Sequence, residues 1–259
     1  MQKTLQITGI QTELAWEDPN ANRRNFETII SGLKDGSDII LLPEMFATGF
    51  SMHPENLADR GETLEWMKNL AKKKKTAIAG SLMVDIDKKY YNRFYFVSPE
   101  GEVSHYDKRH RFTLAGEHKV YEAGYTPKIV EYKGWKIALQ VCYDLRFPVF
   151  SRNTQGYDLL LYVANWPEKR VFAWDTLLRA RAIENMAYCA GINRIGEDGN
   201  GFAYNGHSAV YDMLGATMAS AESSNTIITA TLSAEALKKT REKLNFLADR
   251  DLFRLGEGS

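Results

Sequence analysis

Hydrophobic and polar residues follow strand-like and helix-like patterns in turn from one end of the chain to the other. Residues 4–10 alternate with the two-residue period of a strand, whereas residues 20–33 place apolar side chains three or four positions apart, as an amphipathic helix does. Residues 38–43 form a short apolar run ending at a proline, which is typical of a buried strand. Similar patterns predict strands at 76–84, 134–142, 157–164, 187–195, 207–213 and 226–232, and helices at 64–74, 147–154, 171–186 and 234–243.

Glycine-containing segments interrupt these patterns. Residues 90–98 and 103–107 predict a hairpin around a turn that contains glycine, and we expect the strands at 207–213 and 226–232 to lie around Gly215. Residues 196–206 hold four glycines in an order that does not match a phosphate-binding loop. We therefore expect a mobile loop there, near the mouth of a site.

No linker rich in serine, glycine or proline divides the chain, and no internal repeat is visible. We therefore interpret residues 1–259 as a single domain, with an extended C-terminal tail at residues 245–259. The α/β mixture of elements suits sheets whose outer faces are covered by helices.

The balance of charge limits the classes of partner. The 33 basic and 33 acidic side chains give a formal net charge of zero, so nothing attracts nucleic acid or an anionic membrane over long range. The N-terminus lacks the pattern of a signal peptide, and no apolar run approaches the roughly 18 residues that span a bilayer. We expect a cytoplasmic protein with neither a nucleic-acid nor a membrane partner.

Candidate metal ligands are few and scattered. The two cysteines fit no zinc motif, and the five histidines include no His-Glu-x-x-His pattern. We therefore expect no metal and no other cofactor. In a reducing compartment, a lone cysteine stays a thiol that is available for chemistry.

Cys142 is the strongest candidate nucleophile. It ends the predicted strand at residues 134–142, and ligands in α/β proteins bind at the carboxyl ends of strands. A strand-to-helix turn also directs the thiol at backbone N–H groups, which favour a thiolate. The alternative is a buried structural cysteine, which is our interpretation of Cys189 within its apolar strand.

Glu44 and Lys108 can supply what a thiol nucleophile needs. Glu44 ends an apolar strand and can act as a general base, while Lys108 follows the predicted hairpin. A base removes the thiol proton, and a fixed cation stabilises both the thiolate and the developing oxyanion. Taken singly, Glu44 also fits a solvated loop carboxylate and Lys108 a solvated surface lysine.

Three segments together resemble the signature motifs of the nitrilase superfamily. They are residues 41–46 (LLPEMF), 106–110 (YDKRH) and 140–148 (QVCYDLRFP), in the order and at the separations of that family. Residues 164–167 (ANWP) and 246–253 (FLADRDLF) resemble features of its ω-amidase branch, which hydrolyses small amides.

The resemblance implies a particular architecture. The expected fold is α/β, a four-layer αββα sandwich of two packed mixed sheets with outer helices. We also expect a homodimer or larger homo-oligomer, with the C-terminal tail as a candidate interface segment. The family has a second glutamate in the site, for which we prefer Glu117 to Glu122 because Glu117 lies closer to the lysine motif.

The resemblance also implies a mechanism for a thiol-dependent amidase. Glu44 accepts the proton of Cys142, and the thiolate attacks the amide carbonyl to form a thioester that water then hydrolyses. The Lys108 ammonium and the backbone N–H of Tyr143 hold the oxyanion. Glu117 orients either Lys108 or the water.

The expected substrate is a small amide that carries a carboxylate. Arg146 follows Cys142 by four residues and can bind a carboxylate through two parallel hydrogen bonds. The resemblance suggests the ω-amide of a 2-oxo dicarboxylic acid, such as 2-oxoglutaramate or 2-oxosuccinamate. We expect Phe50 and Trp166 to line the pocket, although both also fit the core, and Arg146 also fits an ion pair with an acidic neighbour.

Other functions fit the same motifs. The three motifs do not separate an ω-amidase from an N-carbamoyl amino acid hydrolase, an aliphatic amidase or a nitrilase. A non-catalytic binding protein on the same scaffold is a further alternative, although such proteins usually lack a member of the triad.

Overall fold

Two six-stranded sheets form the centre of the computed structural model, which describes residues 1–256. The order of the first sheet is β14 (Thr226–Ser233), β1 (Thr4–Gln11), β2 (Ile39–Leu41), β3 (Ala77–Ile86), β4 (Lys89–Val97) and β5 (Val103–Asp107). The order of the second is β13 (Thr217–Ser220), β12 (Ala209–Tyr211), β9 (Tyr188–Ile192), β8 (Leu159–Val163), β7 (Trp135–Val141) and β6 (Ile129–Tyr132).

Both sheets are mixed. Strands β1, β2 and β3 are parallel in the first sheet, and β7, β8 and β9 are parallel in the second. The outer strands pair antiparallel on either side, as β14 does with β1 and β6 does with β7. The parallel strands therefore point their carboxyl ends to one edge of each sheet.

Helices cover the outer face of each sheet. Their bounds are α1 (Pro19–Ser31), α2 (Glu62–Lys74), α3 (Pro148–Ser151), α4 (Val171–Asn185) and α5 (Ala234–Leu244). Helix α1 begins after Asp18, whose side chain accepts a hydrogen bond from the Ala21 N–H at 2.9 Å and so caps the first turn. Its apolar face buries Phe26 and Ile30 against the first sheet.

Strand β2 shows why the sequence of a central strand is a continuous apolar run. Ile39 and Leu41 face the second sheet and belong to the central core, whereas Ile40 faces helices α1 and α2. A strand covered on both faces needs apolar residues at every position. The result is the four-layer αββα sandwich that the sequence predicted, with α4 packed on the outer face of the second sheet.

The two strands predicted around Gly215 are both present, but they lie in different sheets. The turn at Gly215 joins β12 to β13, whereas β14 lies in the other sheet beside β1. Strand β13 escaped prediction because it is a mostly exposed edge strand without an alternating apolar pattern. The short edge strand β6 was missed as well.

The glycine-rich segment, for which a mobile loop was expected, contains two short strands. Strands β10 (Ile195–Glu197) and β11 (Ala203–Asn205) pair antiparallel within it as a small hairpin. The C-terminal tail also departs from its prediction, because residues Phe246–Asp249 form a single 3₁₀ turn after α5. Residues 257–259 of the predicted tail lie outside the described residues. Within residues 1–256, every helix falls short of the length and apolarity that crossing a membrane requires.

Candidate active site

The three predicted catalytic residues follow the ends of three strands. Glu44 lies just after β2, Lys108 directly after β5, and Cys142 directly after β7. Strands β2 and β7 belong to different sheets that pack face to face, so the fold brings their carboxyl ends near one another. All three side chains are buried, with exposed fractions of 0% for Glu44, 1% for Lys108 and 9% for Cys142.

Lys108 is held between two carboxylates. Its Nζ lies 2.9 Å from Glu44 Oε1 and 3.0 and 2.9 Å from the two carboxylate oxygens of Glu117. Burial acts to lower the pKa of Lys108, but the negative charges of Glu117 and Glu44 outweigh it and raise that pKa. Burial raises the pKa of Glu117, against the effect of the Lys108 ammonium. Lys108 is therefore a permanent cation.

Glu117, and not Glu122, is the second glutamate of this cluster. The Glu117 carboxylate also accepts a hydrogen bond from the Phe112 N–H, so its oxygens are occupied by the backbone and the ammonium. Glu122 is exposed and lies 3.7 Å from Lys89 Nζ. The geometry suits Glu117 to fixing Lys108 in position.

Both carboxylate oxygens of Glu44 have fixed partners. Oε1 accepts from Asn92 Nδ2 at 2.7 Å as well as from Lys108, and Oε2 accepts from the Asn165 N–H at 2.8 Å. The Asn165 side chain returns a hydrogen bond to the Glu44 carbonyl at 2.6 Å. The carboxylate is thus held in one orientation beside the thiol.

Cys142 begins a 3₁₀ turn, Cys142–Arg146, with φ of +46°, a left-handed conformation that residues other than glycine rarely adopt. Its Sγ lies 3.9 Å from the Asn165 carbonyl oxygen. Burial raises the pKa of Cys142 well above its ordinary range; the negative charge of Glu44 adds to this effect, and Lys108 opposes it. The expectation that the turn favours a thiolate is therefore wrong for the free protein, in which the thiol keeps its proton.

The other cysteine lies in a different setting. Cys189 is fully buried within β9, opposite Leu160 on β8 and Tyr211 on β12. Burial is the largest cause that raises its pKa. This environment agrees with a structural cysteine.

A cavity of about 360 Å³ opens beside Cys142. Its walls include the predicted substrate-binding residues Phe50, Arg146 and Trp166, together with Tyr143. The Arg146 guanidinium carbon lies 4.9 Å from the centre of the Trp166 ring. Within residues 1–256, no carboxylate oxygen lies within 4.0 Å of the Arg146 guanidinium, so the alternative of a structural ion pair is not found there.

Residues 6–242 match the family model described as carbon-nitrogen hydrolase. The chain belongs to the carbon–nitrogen hydrolase family. The predicted membership of the nitrilase superfamily is confirmed, and with it the predicted class of enzyme, a hydrolase of carbon–nitrogen bonds.

Relatives of this hydrolase support its predicted membership of the ω-amidase branch. It is 48% identical over 254 residues to Omega-amidase YafV of Escherichia coli strain K12, covering 97% of this chain and 98% of that protein. It is 33% identical over 257 residues to 2-oxoglutaramate amidase of Bacillus subtilis strain 168, covering 95% and 98%. The crystal structure of XC1258 from Xanthomonas campestris, a CN-hydrolase superfamily protein with an arsenic adduct in its active site, superposes with a TM-score of 0.95 at 41% identity, covering 98% and 99%.

Sequence reasoning missed several residues of the hydrolase site. Asn92, which holds Glu44, is a buried polar residue within the otherwise largely aromatic and apolar strand β4, and that contrast was the available signal. Asn165 lies in the segment that resembles the ω-amidase branch, yet no role was assigned to it. The cavity wall also includes Arg170 and residues of the β10–β11 hairpin, namely Asp198, Asn200, Phe202 and Tyr204.

Proposed function

We propose that this hydrolase converts a small, carboxylate-bearing primary amide to the acid and ammonia through a thioester on Cys142. The observation that carries the proposal is the buried cluster in which Lys108 Nζ contacts both Glu44 and Glu117 beside that thiol. A base, a cation and a thiol at the wall of one cavity are the parts that acyl transfer requires.

The pKa of Cys142 explains why the reaction needs Glu44. Because the buried thiol keeps its proton beside the Glu44 carboxylate, proton transfer from Cys142 to Glu44 forms the thiolate without changing the net charge of the site. The sulfur then attacks the amide carbon, and the protonated Glu44 gives its proton to the departing ammonia. Glu44 next takes a proton from water, and the hydroxide formed attacks the thioester carbon. The Cys142 thiolate leaves as the acid forms and takes the proton back from Glu44.

The oxyanion formed in both steps needs donors. Lys108 supplies a permanent positive charge. The second donor is the backbone N–H of Tyr143, the residue directly after Cys142 in the turn. Removing one such donor from an acyl-transfer enzyme typically costs about 10²–10³-fold in kcat. Glu117 keeps the Lys108 ammonium in place through two hydrogen bonds.

The cavity supports an anionic substrate. Arg146 and the half-buried Arg170 both line it, and each guanidinium lies over an aromatic ring, Trp166 and Phe112 respectively, at 4.9 and 5.0 Å. Guanidinium groups bind carboxylates in a planar, two-bond geometry. Together with relatives named as ω-amidase and 2-oxoglutaramate amidase, this favours the ω-amides of 2-oxo dicarboxylic acids, such as 2-oxoglutaramate and 2-oxosuccinamate.

Three further proposals concern the domain organisation, the cellular location and the assembly of this enzyme. We propose that residues 1–259 act as one catalytic domain, since the cavity draws its walls from segments between Phe50 and Tyr204. We further propose a cytoplasmic homodimer or larger homo-oligomer with the C-terminal tail at an interface between subunits. Within the described residues, exposed apolar side chains of the tail, Leu252 and Phe253, support this role.

Ammonia release from a panel of compounds tests the proposed activity. The panel contains 2-oxoglutaramate, 2-oxosuccinamate, glutamine, asparagine, butyramide, an N-carbamoyl amino acid and an aliphatic nitrile. We expect the two 2-oxo acid amides to have the highest kcat/KM. Faster turnover of the ureido acid or the nitrile would overturn the substrate assignment.

Arg146→Met tests the carboxylate contact within the same panel. The variant should raise KM for the acidic amides by about 10–100-fold, because a charge-assisted hydrogen bond is lost. KM for butyramide should stay within about twofold of wild type. Equal losses for acidic and neutral amides would contradict a carboxylate contact at Arg146.

A further inference from the structure

Another buried carboxylate, Asp144, links the turn that carries Cys142 to the segment that carries Lys108. Its side chain is 0% exposed and accepts four hydrogen bonds. One comes from the Val141 N–H at 3.0 Å, two from the backbone N–H and the ring Nδ1 of His110 at 3.0 and 2.7 Å, and one from the Tyr106 hydroxyl at 2.8 Å.

Three of these contacts come from residues that flank Lys108 in sequence. Tyr106 and His110 lie two residues before and two residues after the lysine, so one carboxylate holds the segment on both sides. The Tyr106 oxygen also accepts the Arg109 N–H at 3.1 Å. The His110 ring stacks on Phe147 with centroids 3.7 Å apart and planes 4° apart, which fixes the ring toward Asp144.

The remaining contact acts on the nucleophile. The Val141 N–H lies directly before Cys142, whose φ of +46° persists only where the surroundings hold the backbone in that conformation. The far end of the same turn is held by Arg181, which donates to the Leu145 carbonyl at 2.5 Å. Asp144 thus anchors the strained residue from inside its own turn.

We propose that Asp144 is a positioning residue that sets the distance between the Cys142 sulfur and the Lys108 ammonium. It does not line the cavity and so contacts no substrate. The oxyanion forms between the sulfur and the ammonium, and a displacement of about 1 Å in such a site can reduce the rate about 10²-fold. The inference rests on the proposed function, because it needs Lys108 to stabilise the oxyanion.

Asp144→Asn is the principal test. The asparagine keeps the size of the side chain but turns an NH₂ group toward donors, so at least one of the four contacts is lost. We expect kcat for 2-oxoglutaramate to fall about 100-fold with KM within threefold of wild type, because Asp144 does not itself line the cavity. Circular dichroism and thermal unfolding establish the folded fraction on which kcat is based.

Asp158→Asn is the matched control. Asp158 is another buried carboxylate, which accepts from the Lys136 N–H at 3.0 Å and from Arg241 Nη1 at 2.9 Å, before β8 and outside the cavity. The Asp158→Asn substitution should lower Tm and leave kcat within twofold of wild type. If Asp144→Asn behaves in the same way, with a lower Tm and an unchanged kcat, the positioning role is overturned.

Tyr106→Phe keeps the test decisive if Asp144→Asn fails to fold. It removes one donor and leaves the carboxylate with three, so kcat should fall about tenfold with KM unchanged. An unchanged kcat overturns the inference. The wild-type protein, measured in the same assay, tests the proposed function separately. If wild type hydrolyses 2-oxoglutaramate and the variants have the same kcat as wild type, only the role of Asp144 is overturned.

Discussion

The two cysteines of this chain differ in the residues that surround their thiols. Cys142 and Cys189 lie on either side of β8, one directly after β7 and the other within β9. Both are buried, and burial is the largest cause that raises the pKa of each. Burial by itself therefore makes both thiols poor nucleophiles.

Their neighbours account for the difference. Cys142 follows the carboxyl end of its strand, borders the cavity, and lies in the electrostatic field of both Glu44 and Lys108. Cys189 is enclosed by residues of the adjoining strands. A reactive thiol here requires a base, a cation and access, and only the end of a strand brings all three together.

Cys142→Ala should abolish the reaction, whereas Cys189→Ala should leave kcat within about twofold of wild type. Removing the nucleophile of an acyl-transfer enzyme typically costs 10⁴-fold or more, and we expect about that loss in ammonia release. Both variants should keep the circular dichroism spectrum of wild type. A loss of activity in Cys189→Ala equal to that in Cys142→Ala would remove the distinction between the two thiols.

Glu44→Gln should lower kcat about 10³-fold, because glutamine keeps the shape of the side chain but cannot accept the thiol proton. Steady-state ammonia release measures the effect. A variant that retains a tenth of the wild-type kcat would rule out Glu44 as the base.

Glu117→Gln should lower kcat about 10²-fold with little change in KM, since Lys108 loses the carboxylate that holds it for the oxyanion. Glu122→Gln is the control, because Glu122 is exposed and paired with Lys89. Equal activity of the two variants would contradict the assignment of Glu117 to the site.

Cys189→Ala should have the smallest effect, on stability alone. Deleting a fully buried sulfur leaves a small cavity, for which we expect a loss of about 1–2 kcal/mol in the free energy of unfolding. Urea denaturation at pH 7 measures it. A stability loss combined with a tenfold fall in kcat would mean that Cys189 supports the site as well as the core.

Much of the fold was predictable because its central strands are covered on both faces. Apolar runs such as the one at β2 and amphipathic patterns such as the one at α1 leave a clear signal. The edge strands β6 and β13 are short or exposed and carry no such pattern. The sheet partner of β14 depends on contacts between the two ends of the chain, which local patterns do not encode.

The candidate site was predictable to a different extent. Motifs identified Glu44, Lys108 and Cys142, which the structure brings together, and the resemblance supplied Glu117. The supporting residues were not found, because the contacts of Asn92 with Glu44 and of Asp144 with His110 join residues that are distant in sequence. The raised pKa of Cys142 was also missed, since it depends on burial and on the charge of Glu44 rather than on the local turn.

The pH dependence of alkylation of Cys142 by iodoacetamide, in wild type and in Glu44→Gln, tests the coupling of base and thiol most directly. In wild type, burial and the negative charge of Glu44 raise the pKa of Cys142, so the rate should keep rising with pH beyond the ordinary thiol pKa of about 8.5. Removing that charge should lower the pKa and move the profile of Glu44→Gln to lower pH, although its amide turnover is lost. A profile that stays in place or moves to higher pH would contradict the account.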